Sequence, residues 1–353
     1  MSYIHPLQNQ ETSHQNTLIL IVGYCILLVT KKKFCYLDMI IASCPLRISL
    51  FGGSTDNPYF VDKYGYGSVI SFTSNLKTYV TISQDKFGFN KDQHKYLINY
   101  SRREEVSNVS EIQNDVVRVV LEHFSMPPVQ VTLTSDAYSQ GSGLASSSSY
   151  IISLIKACCI FLNRRMTDHE ICKLAHELEI SFNPYCGYQD PYGCGIGGFK
   201  RIEFMGNNRV KYEFLPSSIL DNFDTHLVFT GVTRNSKPVL KSVTENLEKI
   251  KPLIETVDKA HDAILAEDHL EFFKLFQEGW TQKKNTSPTI TENQIIKDID
   301  SSLEESETIL AHKLCGAGNG GFFLTFSEKN ALTPTCDSVR ISAVTEGVLG
   351  ESV

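Results

Sequence analysis

Residues Asp136–Ser149 read DAYSQGSGLASSSS, and the apolar run Tyr150–Leu162, YIISLIKACCIFL, follows without a break. Gly141 and Gly143 bracket Ser142, and the four serines Ser146–Ser149 lead into a run long enough for a buried helix. Glycines admit backbone N–H groups to an anion without interference from Cβ, and the first turn of the following helix adds its own free N–H groups and dipole. Serine hydroxyls in that turn either cap the helix or turn outward to a metal ion or a phosphate oxygen. A Gly/Ser linker is the competing reading, but linkers do not normally run straight into an apolar helix. The stretch therefore reads as a phosphate loop. It is not a Walker A loop, because no Gly-Lys-Ser/Thr follows the glycines. Nor is it a dinucleotide fingerprint, since the glycine spacing is wrong and no acidic residue ends a second strand downstream.

The composition of the chain suits such a site. Its 353 residues can bury a sizeable core in two domains, and 42% hydrophobic with 21% charged residues is ordinary for a globular protein. A net charge of −7 argues against a nucleic-acid surface. Ten cysteines show no CxxC pair and no Cys/His zinc spacing, which fits reduced, buried thiols in a cytoplasmic protein. Residues 1–38 look foreign to the remainder of the chain: an apolar stretch, Thr17–Thr30, leads directly to Lys31–Lys33. That stretch is short for a membrane span, and a secretory signal carries its positive charge before the apolar run. An added element, a weak anchor and a non-native upstream start all remain open. The last is favoured, because Met39 opens a complete first strand.

That strand lies in Met39–Asp56, MIIASCPLRISLFGGSTD, and ends where Gly52-Gly53 turn the chain. Gly67–Ser83 reads as strands with a polar turn at Ser74 and Asn75. Residues 84–105 read as a hairpin with loops, Asp115–Phe124 as a short helix stopped by Pro127-Pro128, and Val129–Thr134 as the strand that feeds the loop. Thr167-x-x-Glu170 is a capping box opening a further helix. Residues 197–204 and 207–215 pair as strands, and a domain boundary falls near Pro216. After the strand His226–Thr230 come helices over roughly 237–265, with Pro252 kinking or dividing it, then 268–284 and 291–308. A glycine-rich turn, Lys313–Gly321 (KLCGAGNGG), precedes the strand FFLTF, and Asn319 within it tolerates a left-handed backbone.

Three of these stretches resemble, in order and spacing, the motifs of the GHMP kinases, the superfamily of galactokinase, homoserine kinase, mevalonate kinase and phosphomevalonate kinase. QGSGLASSSS is similar to the central Pro-x-Gly-x-Gly-Leu-Gly/Ala-Ser-Ser pattern, with Ser139 and Gln140 where the family carries proline. The resemblance covers about residues 39–348. It implies a two-domain α+β fold, with an N-terminal ATP-binding domain over 39–215 like ribosomal protein S5 domain 2, and a ferredoxin-like C-terminal domain over 216–353. It also implies ATP and Mg²⁺ as cofactors, and a small sugar phosphate as acceptor. Neither nucleic acid nor a stable membrane association is expected, and a homodimer is compatible.

Residue by residue, the resemblance implies that the backbone of Gly141, Ser142, Gly143, Leu144, Ala145, Ser146 and Ser147 cradles the nucleotide phosphates. Arg47 takes the place of the basic residue near the reacting hydroxyl. Asp190, in Gly187-Tyr-Gln-Asp190 through Gly197-Gly198, takes that of the general base or orienter. Glu179 lies 11 residues before Asp190, the family's own separation, and with Ser147 (Ser146 as fallback) it becomes the metal pair. Gly53, Thr55 and Asp56 match the Gly-Gly-Gly-Thr-Asp form of the sugar-phosphate branch and are expected at the sugar. Arg234, Lys283 and Lys284 are expected at its phosphate, with Lys200 and Arg201 as lower candidates. Gly316, Gly318, Gly320 and Gly321 form the third motif, which packs on the phosphate loop in those kinases. By default each residue has a plainer reading: Asp56 and Asp190 as turn residues, Arg47 as a salt-bridge residue, and Glu179, Lys283 and Lys284 as solvated helix residues. The spacing of all three motifs together outweighs those defaults for the motif residues, while for Lys283 and Lys284 the solvated helix end stands level with the substrate reading.

Overall fold

A computed structural model describes residues 39–84, 95–137, 141–233, 236–331 and 338–353. Residues 1–38, Ser139, Gln140 and Arg234, each singled out in the sequence, lie outside the described residues. The architecture is α+β and is built on two antiparallel strands. Strand β1 (Ile40–Phe51) is buried over most of its length, and β2 (Tyr66–Ser83) runs 18 residues beside it. The expected turn at Ser74-Asn75 does not form. Polar residues there suit a turn only if their groups have no partner in a sheet, and these do: the Ser74 hydroxyl donates to the Leu46 carbonyl at 2.9 Å, and Asn75 exchanges bonds with the backbone of Ser342.

Between them, α1 (Pro58–Tyr64) follows an Asn57 cap, whose side chain accepts from the Tyr59 N–H. Strands β3 (Tyr96–Asn99) and β4 (Arg103–Val106) form the expected hairpin. Helix α2 (Asp115–Phe124) is capped by Asn114, and β5 (Gln130–Ser135) delivers the chain to the Gly/Ser loop. Helix α3 (Ser146–Phe161) is buried nearly all round against the sheet. Its inward serines find partners there, with Ser149 Oγ 2.7 Å from Thr78 Oγ1 and donating to the Cys44 carbonyl at 2.9 Å. Helix α4 (Asp168–Ile180) opens on the capping box read from Thr167 and Glu170. Helix α5 (Gln189–Gly195) leads into the hairpin of β6 (Phe199–Met205) and β7 (Arg209–Phe214).

After α6 (Ser218–Asn222), β8 (Asp224–Phe229) starts a second sheet. Helix α7 (Ser236–Thr244) is separated from α8 (Pro252–Leu265), which begins at Pro252, so the proline divides the helical stretch. Then come α9 (His269–Thr286), α10 (Gln294–Glu304), β9 (Ile309–Leu314), β10 (Phe322–Ser327) and β11 (Ser338–Ile341). The second sheet is antiparallel in the order β11-β8-β10-β9, the strand order of a ferredoxin-like sheet. Two last strands return to the first sheet: β12 (Ala343–Val344) pairs with β2, and β13 (Leu349–Ser352) with β1. Among the described residues that sheet has nine strands.

One apolar core runs through both sheets. Phe51, at the end of β1, meets Phe272 and Phe276 of α9 edge to face at 5.4 and 5.8 Å. Lys313 of β9 is buried and donates to the Leu50 carbonyl at 2.6 Å, so the start of the third motif is tied to the end of the first. The seven described cysteines are free and buried. Among the described residues no helix is long and apolar enough to cross a membrane.

Candidate active site

Glycine is required where the motifs meet. Gly143 has φ +81°, and a Cβ there would stand 2.6 Å from the Cys315 carbonyl oxygen; one on Gly321 would strike the Ser142 carbonyl. The third motif thus lies directly on the phosphate loop. Gly318 abuts Ile290, and Asn319 takes the left-handed conformation its residue type allows, with φ +59°. Within the loop, Ser142 Oγ braces Ser146 Oγ at 3.1 Å, and Leu144 turns its side chain into the core. Gly141, Ser142, Gly143, Ala145, Ser146 and Ser147 line a cavity of about 300 Å³, with Gly316 opposite.

Arg47 joins this loop to Asp190. It projects from β1, and Gly193 leaves room for its stem, since a Cβ there would lie 3.0 Å from Arg47 Cγ. One guanidinium nitrogen donates to the Gly143 carbonyl at 2.8 Å, and two more grip Asp190 Oδ1 at 2.6 and 3.1 Å. A guanidinium so held keeps its charge beside both partners. Glu179, near the end of α4, is 3% exposed and faces the same cavity. It accepts hydrogen bonds from Ser148, Ser147 and Asn183, yet burial pushes its carboxyl up to about 7, with the nearby Asp190 charge adding to the rise.

The donor set suits a magnesium ion. Glu179 carboxylate, Ser146 and Ser147 hydroxyls and the Asn183 amide oxygen, a buried acceptor without a protein partner, are all hard oxygens. Among the described residues no three His, Cys, Asp or Glu side chains gather as a metal cluster. Magnesium does not need one, since it keeps several waters and takes one or two carboxylates besides phosphate oxygens.

The sugar-side expectations divide. Asp56 is buried at the cavity wall, its carboxylate accepting from the Ser54 and Gln189 N–H groups at 3.0 Å each. Gly187 is what admits it, because a Cβ there would overlap Asp56 Oδ2. Gly53 also lines the cavity. Thr55 does not: it is fully buried, donating to the Ser68 carbonyl at 2.7 Å and accepting from its N–H, so it pins the turn to β2. Lys283 reaches the wall but donates to the Gly316 and Leu314 carbonyls, which makes it a clamp on the third motif. Lys284 turns the other way, to Asp300 at 2.8 Å, in a cluster with Trp280 and His312. Lys200 is buried on the Gly193 and Gly198 carbonyls, and Arg201 binds Asp258 and Ser68.

Other cavity residues escaped the sequence reading. Ser49 lies two positions after Arg47, hence on the same face of β1, and its hydroxyl accepts from Gln189 Nε2 at 2.8 Å. Strand periodicity was the available signal for Ser49, and adjacency to Asp190 for Gln189. Ser148 had none beyond its place in the serine run. Phe182, Tyr185, Leu240 and Val243 supply an apolar wall, the last two spaced for one face of α7.

Residues 111–198 match the family model described as "GHMP kinases N terminal domain". The chain is 27% identical over 299 residues to the D-glycero-alpha-D-manno-heptose 7-phosphate kinase of Campylobacter jejuni, covering 80% of this chain and 87% of that protein. It is also 27% identical over 348 residues to L-fucokinase/L-fucose-1-P guanylyltransferase of Bacteroides fragilis, where it spans 35% of the relative's length. A crystal structure described as a D-glycero-D-manno-heptose 1-phosphate kinase from Bacteriodes thetaiotaomicron superposes with a TM-score of 0.67 at 22% identity, over 89% of this chain and 99% of that one. With its three glycine motifs gathered around one cavity, the chain is similar over residues 111–198 to the N-terminal domain of the GHMP kinases, and it has the fold of the solved kinase structure it superposes on.

Proposed function

We propose that the protein is an ATP-dependent sugar kinase that phosphorylates the anomeric hydroxyl of a sugar phosphate, D-glycero-D-manno-heptose 7-phosphate, to give the 1,7-bisphosphate. The observation that carries this reading is Arg47, bonded at once to the phosphate-loop carbonyl of Gly143 and to the Asp190 carboxylate. One cation thereby stands where a transferred phosphoryl group would pass from loop to acceptor. The 7-phosphate acceptor is carried over from the Campylobacter relative, and the different phosphate position named for the Bacteriodes structure makes the site of transfer a matter for product analysis.

In this mechanism the N–H groups of the Gly141–Ser146 loop hold the nucleotide phosphates, and Arg47 offsets the charge that develops in transfer. Asp190 orients the acceptor hydroxyl and receives its proton. Glu179 and Ser147 are the side chains that would hold Mg²⁺, which would supply neutralisation of the phosphate charge. Asp56 and Gln189 face the sugar ring. Such substrates belong in the cytoplasm, where ATP and sugar phosphates are available.

Steady-state kinetics of Asp190→Asn test the assignment. A base role predicts a fall in kcat of roughly 10²- to 10⁴-fold with the KM for ATP little changed; an unaltered kcat would remove Asp190 from the chemistry. A second reading, a 1-kinase for a neutral sugar of the fucose type, draws on the wall's charge. Among the described lining residues the carboxylates are Asp56, Glu179 and Asp190, while the cations, Arg47 and Lys283, are both engaged. A panel of sugars with and without a terminal phosphate separates the two readings, and within it a KM increase for Arg234→Ala confined to phosphorylated sugars supports Arg234 at the phosphate, while an unchanged KM removes Arg234 from that role.

A further inference from the structure

Strand β7 ends one branch of the nine-stranded sheet, paired with β6 on one side and with no strand among the described residues on the other. Its sequence is Arg209-Val-Lys-Tyr-Glu-Phe214, and all but Val210 are exposed. Tyr212 and Phe214 are 38% and 61% exposed, large apolar side chains on an open edge. Natural sheets normally shield such an edge.

The direction of the free backbone groups follows from the ladder. The Leu215 N–H donates to the Phe199 carbonyl at 2.9 Å, and the β6–β7 register runs without a shift from Lys200↔Phe214 to Met205↔Arg209. Backbone groups alternate in direction along an antiparallel strand, so 209, 211 and 213 turn theirs to β6, and Val210, Tyr212 and Phe214 turn theirs outward.

We infer that this edge pairs with the β7 of a second copy of the chain, across a two-fold axis at Tyr212, joining the two sheets. In that register Tyr212 faces its own counterpart, Val210 faces Phe214, and Lys211 faces Glu213. The first two are hydrogen-bonded pairs and provide about six backbone hydrogen bonds. Lys211–Glu213 is then a non-hydrogen-bonded pair, where side chains approach more closely and opposite charges attract.

The other symmetric registers are poor. An axis at Lys211 or at Glu213 sets like charges face to face, an axis at Val210 opposes Arg209 to Lys211, and an axis at Phe214 brings in Pro216, which has no N–H to give. Lys211 has no ion pair among the described residues, while Glu213 is 59% exposed beside His261, so both charges are available. Val210, Tyr212 and Phe214 share the face that β6 presents to the core through Ile202 and Phe204, so pairing extends an apolar surface already begun.

The test is the mass of the full-length chain by light scattering on a sizing column, for wild type, Lys211→Glu, Glu213→Lys and the double exchange. The inference predicts a dimer for wild type, monomers for both single variants and a dimer again for the double exchange. Amide exchange on wild type gives a second readout: the Tyr212 and Phe214 N–H groups should be protected despite their place on an edge. A monomeric wild type, single variants that stay dimeric, a folded double exchange that stays monomeric, or rapid exchange at Tyr212 and Phe214 would each overturn it.

Discussion

Asp56 shows how much of the site rests on single side chains. Burial, and after it the charge of Asp190, push its carboxyl from 3.8 up to about 6, against the hydrogen bonds from the Gln189 and Ser54 N–H groups. Across that interval the folded chain holds a proton that the unfolded chain has released. Its contribution to stability is therefore full at low pH and is lost as pH rises through about 6. Thermal melts should show Asp56→Asn gaining on wild type across this window, by on the order of 2–3 kcal/mol in all. A difference that is flat with pH, or runs the other way, would contradict the burial argument. Lys284 gives the complementary case, since its ammonium holds Asp300 rather than a substrate. Lys284→Ala should lower stability by about 1–2 kcal/mol and leave the acceptor KM unchanged; a raised KM with intact stability would return Lys284 to the site.

At the scale of elements, the phosphate loop is shaped by contact with the third motif as well as by its own sequence. Gly143→Ala puts a methyl against the Cys315 carbonyl at a positive φ, and should lower kcat/KM for ATP by on the order of 10- to 100-fold, the equivalent of the strain involved. Wild-type kinetics in that variant would mean the two motifs do not shape one another. Sequence was informative wherever the cause was local. The Thr167–Glu170 box, the Asp115–Phe124 helix and the break at Pro252 are satisfied within a few residues of themselves, and they were read correctly. It failed where the partner was distant: Ser74 and Asn75 resemble a turn until Leu46 and Ser342, far along the chain, take up their polar groups. Thr55 and Lys284 were misplaced for the same reason, their partners being Ser68 and Asp300. The lysines carry no local signal that separates a substrate contact from a structural one.

For the molecule as a whole, the two sheets are not independent bodies. The C-terminal β12 and β13 return to the first sheet after the second is complete, and the core containing Phe51, Phe272 and Phe276 crosses between them. Calorimetry should accordingly give one cooperative transition, with Phe51→Ala lowering its stability by about 3–5 kcal/mol; two separate transitions would show that the halves unfold apart. The central claim, however, concerns chemistry: the loop, Arg47, Asp190 and Glu179 act on a single phosphoryl transfer. Its most direct test is mass spectrometry with ³¹P NMR on the products of ATP, Mg²⁺ and D-glycero-D-manno-heptose 7-phosphate. The account predicts ADP and a heptose bisphosphate whose new phosphorus resonance belongs to the anomeric carbon, formed by wild type and at a rate lower by roughly 10²- to 10⁴-fold by Asp190→Asn. A phosphate appearing on another carbon, or no transfer to any sugar offered, would contradict it.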